Sequence, residues 1–151
     1  MDCILAAVDE DLLAEKVVAQ AGRLAREVDA YLVVLHVMPE DRYRRIEARQ
    51  ALENVDQLFT ISQAEEQARA IAAEAAVALR NDDVIRYETR GAVGTPAATI
   101  IALAEEIGAD VIVVGFEGLR GLEKLRALGS TARAVLEQTN RPVLVVPAIV
   151  G

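Results

Sequence analysis

Aromatic residues are nearly missing from this chain: they make up 3% of it, with no tryptophan, three tyrosines and two phenylalanines. The core of its 151 residues must therefore be aliphatic, and 53% hydrophobic content supplies Ala, Val, Leu and Ile for it. Cys3 is the only cysteine, so an internal disulfide is excluded. It heads an apolar run and reads as a buried structural thiol. Lysine is scarce as well, with Lys16 and Lys124 alone, while arginine is plentiful. The formal net charge of -8 disfavours nucleic-acid backbones and anionic membranes as partners, since both need a basic surface. No apolar run reaches the ~18 residues of a membrane span, and no signal peptide precedes the first strand. The expectation is a cytoplasmic protein that binds neither nucleic acid nor membrane. Four prolines and nine glycines are too few for a fibrous or disordered chain. The length suits one domain over residues 1–151.

What is present alternates between two kinds of segment. Continuous apolar runs lie at Cys3–Val8, Tyr31–Val37, Val111–Val114 and Val143–Val146. Such β-branched runs read as strands buried on both faces, as in parallel sheets. Val84–Arg90 is more polar and reads as an edge strand. Between the runs, Leu13, Val17, Ala21, Leu24 and Val28 share one helical face, as do Ala64, Ala68, Ile71, Ala75 and Leu79. Ser62 and Glu65 have capping-box spacing for the second of these helices. Thr95 and Pro96 open a third helix that Gly108 ends, and Ser130 opens a fourth. The alternation predicts an α/β fold: a doubly wound three-layer sandwich with a parallel five-stranded sheet. Pro39–Thr60 reads as a long polar stretch, rich in arginine, of the kind that forms lids or binding loops.

The stretch Val111–Pro147 carries the chemistry. A strand ends at Gly115, Gly118 follows, and Gly129, Ser130 and Thr131 open a helix. Free amides at such a helix start favour an anion, usually a phosphate. Glu117, between the first two glycines, would repel a triphosphate unless a metal or the nearby Arg120, Lys124 and Arg126 intervene.

On these motifs the chain resembles the universal stress proteins over its whole length. The resemblance rests on ILAAVD (4–9), LVVLHVMP (32–39), GTPAATIIALAEEIGADVIVVG (94–115), GST (129–131) and RPVLVV (141–146). It implies strand order 3-2-1-4-5 and a homodimer paired through the last strand. Many members bind ATP through G-x2-G-x9-G-(S/T). Here Gly115, Gly118, Gly129 and Ser130 match, with ten residues in the second gap instead of nine. The resemblance implies that Gly118, Gly129, Ser130 and Thr131 cradle the phosphates. It places Asp9 against the adenine beside Ala7 and Val8, and Val37 on the adenine edge through its backbone. The implied ligand is ATP, with Mg2+ as a companion, in a stress-response or signalling factor.

Other readings stand beside this one. A nucleotide-free homodimeric interaction module of the same fold is the main alternative. A weak hydrolase or phosphotransferase would use Glu117 or Asp9 to hold Mg2+, but no water-activating base, Walker lysine or arginine finger stands at recognisable spacing. A receiver domain would also place acidic residues such as Asp9, Glu10 and Asp11 after its first strand. It needs an aspartate after the third strand and a lysine after the fifth, and both are missing. Glu10 and Asp11 read more simply as caps at a helix start. His36 reads as a packed strand residue hydrogen-bonded at its ring, and Met38 as filler at the strand end.

Overall fold

A computed structural model describes residues 1–53, 59–116 and 128–147. The elements run β1 (Cys3–Ala7), α1 (Ala14–Val28), β2 (Tyr31–Pro39), α2 (Glu40–Leu52), α3 (Ile61–Ala75), β3 (Tyr87–Gly94), α4 (Pro96–Ile107), β4 (Val111–Gly115), α5 (Ser130–Gln138) and β5 (Val143–Val146), with a short 3-10 turn at Val77–Asn81. The five strands are parallel in the order β3-β2-β1-β4-β5, as expected for the doubly wound sandwich. Alternate residues of the central strands feed two cores. Ile4, Ala6, Leu32, Val34 and Val113 pack against α1 and the end of α3. Leu5, Val33, Leu35, Ile112 and Val114 pack against α4 and α5.

Three local expectations are corrected. Pro39–Thr60 is not one long loop, because α2 occupies Glu40–Leu52. Glu40 and Asp41 suit its positive first turn, and Arg44 reaches back one turn to Glu40 at 2.7 Å. Tyr43 is its one buried residue, so no apolar periodicity betrays it. The capping box of α3 is Thr60 with Gln63, not Ser62 with Glu65. Thr60 Oγ1 accepts from Gln63 N–H at 3.1 Å, and Gln63 Oε1 accepts from Thr60 N–H at 2.9 Å. Phe59, packed against Tyr43, Met38 and Ala64, fixes where the helix begins.

The third strand begins and ends later than expected. Asp82 Oδ1 accepts from Val84 N–H at 2.9 Å and Ile85 N–H at 3.2 Å, which holds residues 82–85 in a turn. The ladder to β2 then continues through Gly91 to Gly94. Gly91 sits directly under the backbone of α3: a Cβ there would run into Glu65, Ala68 and Arg69 main-chain atoms. The glycine that looks like a strand terminator is what lets α3 lie flat on the edge of the sheet.

Candidate functional site

The winding of the sheet reverses between β1 and β4. The chain leaves β1 for α1 on one face, and α5 after β4 lies on the other face. A crevice at the strand carboxyl ends follows from that reversal. It has a volume of about 180 Å³ and is lined by the ends of β1, β2 and β4 together with the first turn of α5.

Ala7, Val8, Asp9, Val37, Gly115, Gly129, Ser130 and Thr131 all line this one cleft. Gly118 lies outside the described residues, as do Glu117, Arg120, Lys124 and Arg126. Leu13, Pro96 and Ile100 also contribute lining that sequence reasoning missed. Pro96 has a legible signal, since the helix it opens follows a parallel strand and must start at this end of the sheet. Leu13 and Ile100 look like any other apolar helix-face residue.

The β1 end is shaped by its own polar groups. Val8 N–H donates to Leu35 O at 2.8 Å, continuing the ladder one rung past β1. His36, 3% exposed, has Nδ1 2.7 Å from Val8 O, which bears out its reading as a packed residue bonded at the ring. Asp9 Oδ1 accepts from Glu10 N–H at 3.1 Å, and Asp11 Oδ1 accepts from Leu13 N–H at 3.0 Å, so Asp11 closes a turn ahead of α1 and does not cap the helix, whose N-cap is Leu13. Glu10 does not cap. It receives Arg42 Nη1 of α2 at 2.7 Å instead.

The opposite wall is the start of α5. Gly129 N–H donates to Phe116 O, and Phe116 N–H donates to Val146 O, each at 2.8 Å. These bonds pin the returning chain to the ends of β4 and β5. The first bond within the helix runs from Arg133 N–H to Gly129 O at 2.9 Å. The amides of Ser130, Thr131 and Ala132 precede it and have no acceptor inside the helix. Among the described residues no side chain caps this end. The cleft therefore meets three amides, two hydroxyls and the positive end of a helix dipole.

Gly115 has a packing reason for its identity. A Cβ there would lie 2.6 Å from Leu13 Cδ2 and 3.1 Å from Leu13 Cγ, so a larger residue would have to displace the Leu13 side chain. The charged side chains among the described lining residues are Asp9 and Asp11, both carboxylates. Among the described residues no group of three His, Cys, Asp or Glu side chains gathers to hold a metal.

A parallel sheet of order β3-β2-β1-β4-β5 with helices on both faces and a crevice at its switch point defines a doubly wound α/β protein. The model of the universal stress protein family matches residues 1–147, and the chain belongs to that family. Universal stress protein A homolog 1 of Coxiella burnetii is 32% identical over 143 residues, which is 95% of this chain and 94% of that one. The solved structure of UspA from Lactobacillus plantarum is 25% identical with a TM-score of 0.70, covering 96% of this chain and 97% of that one. The structure of the hypothetical protein MJ0577 gives a TM-score of 0.72 at 23% identity, covering 99% and 98%. Two further family structures of the same fold are nucleotide complexes. One holds cAMP (TM-score 0.58, 21% identity, 97% and 96% covered), and one from Archaeoglobus fulgidus holds dAMP (0.56, 23%, 96% and 97%).

Proposed function

We propose that the cleft binds an adenine nucleotide and that the protein works as a homodimeric stress-response or signalling factor in the cytoplasm. The observation that carries this reading is the meeting of Ala7–Asp9, Val37 and Gly129–Thr131 around one cleft beside an uncapped helix start. The residues fit such a ligand. Ala7, Val8, Val37 and Val114 offer an apolar seat for a flat base. The amides and hydroxyls of Ser130 and Thr131 offer donors for a phosphate. The complexes of related folds with cAMP and dAMP support the same ligand class. ATP remains the ligand that the family motif implies. With Asp9 and Asp11 in the lining, its triphosphate needs a companion cation such as Mg2+.

The homodimer reading rests on β5. It is the edge strand next to β4, and Leu144 on it is 40% exposed. Pairing two copies along this edge would be isologous and would cover it. Among the described residues no helix is long and apolar enough to cross a membrane.

The test is to release small molecules from the purified protein, identify them by mass spectrometry, and then titrate ATP with Mg2+, and AMP, by calorimetry. An adenine nucleotide in the extract, or one site per chain in the titration, supports the reading. No nucleotide and no heat would leave the nucleotide-free interaction module, the alternative that the acidic lining favours.

A further inference from the structure

The hydrogen-bond ladder between β1 and β2 breaks at the cleft in a specific way. Alternation along β2 sends the peptide groups of odd residues towards β1 and those of even residues towards β3. Leu35 O accepts from Val8 N–H, while Leu32 N–H donates to Arg86 O beside β3. In a parallel ladder the next rung would run from Val37 N–H to Val8 O. That rung is not made. Val8 O meets His36 Nδ1 at 2.7 Å instead. A carbonyl oxygen only accepts, so Nδ1 is the nitrogen that carries the hydrogen. His36 is almost wholly buried, and Val8 is followed directly by Asp9 on the cleft wall.

We propose that His36 is a positioning residue for the base. By holding Val8 O it keeps the Val37 N–H open towards the cleft, as a donor for a ring nitrogen of the bound base, and it fixes the turn that carries Asp9. This rests on the adenine-nucleotide reading above. It assigns a role to a side chain that does not touch the ligand: the ring holds the Val8 carbonyl in the position where the rung to Val37 is not made, which leaves that amide for the ligand. A histidine that merely filled the core would be replaceable by any apolar residue of similar size without changing ligand affinity.

His36 is the single histidine of the chain, so 15N-histidine NMR reports on it alone. The expected spectrum shows hydrogen on Nδ1, and hydrogen on Nε2 alone overturns the proposal. Calorimetry with AMP then compares two variants, with thermal melting alongside. His36→Asn places an amide donor near the Nδ1 position and should keep the affinity within about threefold. His36→Leu lets the Val37 N–H close on Val8 O and should weaken binding about tenfold, the loss of one net hydrogen bond. In the same variant the Val37 amide should become protected from hydrogen exchange.

A folded His36→Leu protein with native affinity overturns the proposal. Should that variant not fold, 1-deaza-AMP, which lacks the acceptor at ring position 1, replaces it. On the native protein it should bind about tenfold more weakly than AMP, and equal affinity overturns the proposal. Native protein that binds no AMP sinks the nucleotide reading and this inference with it. Native protein that binds AMP, with His36→Leu unaffected, sinks this inference alone.

Discussion

Replacing Gly115 by alanine tests how the cleft wall is built. The backbone there is not left-handed, since Gly108 is the glycine with positive φ among the described residues. The constraint is space. The added methyl carbon would lie 2.6 Å from Leu13 Cδ2, 3.1 Å from Leu13 Cγ and 3.4 Å from Val17 Cγ2. Forcing it in costs about 1–3 kcal/mol, as overpacking does. The stiffer unfolded chain returns about 0.4–1 kcal/mol. The net loss should be about 0–2.6 kcal/mol, or up to about 10 °C in melting temperature for a domain of this size.

Denaturant titration of Gly115→Ala, Leu13→Ala and the double variant measures this directly. Leu13→Ala alone should cost about 2–5 kcal/mol, because Leu13 is buried. The double variant should be about 1 kcal/mol more stable than the sum of the two. Additivity within about 0.5 kcal/mol would refute the packing reason. A neutral Gly115→Ala that loses nucleotide would assign Gly115 to the ligand instead.

Three further outcomes follow from the geometry. Thr60→Ala should destabilise by about 1 kcal/mol while Ser62→Ala changes little, and equal effects in denaturant titration would overturn the placement of the α3 cap. Asp110 accepts from Asp2 N–H at 2.6 Å and Cys3 N–H at 3.1 Å, which holds its carboxyl below the usual range. A depressed folded pKa contributes stability above the unfolded value near 4 and loses it as the pH falls through the folded value. Asp110→Asn should therefore be less stable than the native chain at neutral pH and should converge with it in acid; an unchanging gap from pH 7 to pH 2 would contradict this. Burial first, then Asp110 and Glu88, push the Cys3 thiol up, so it should react with a disulfide reagent more slowly at pH 7 than a free thiol does. Fast labelling in the folded state would contradict that environment.

The parts legible in the sequence are those that a local pattern records. The run Leu32–Met38 is apolar at every position but His36 because β2 is covered on both faces, and that is visible without a structure. Gly129, Ser130 and Thr131 are legible because a helix start exposes amides whatever surrounds it. The helix α2 is hidden because a single buried residue leaves no period to read. Cys3 was expected to be buried, yet it is only half-buried, since it lies at the strand's open amino end. The contacts that shape the cleft are non-local. His36 reaches Val8 across 28 positions and Arg42 reaches Glu10 across 32, and only the sheet register brings them together. The reason for Gly115 is equally hidden, because it depends on where the Leu13 side chain points.

In the proposed complex the Val8–Asp9 turn, Val37 and the start of α5 hold one adenine nucleotide between them. Backbone amide NMR during a titration with AMP, and with ATP plus Mg2+, tests this arrangement most directly. Shifts are expected at Val8, Asp9, Val37, Ser130 and Thr131 that saturate together at one nucleotide per chain. No shifts, or shifts confined to the β5 edge, would contradict it.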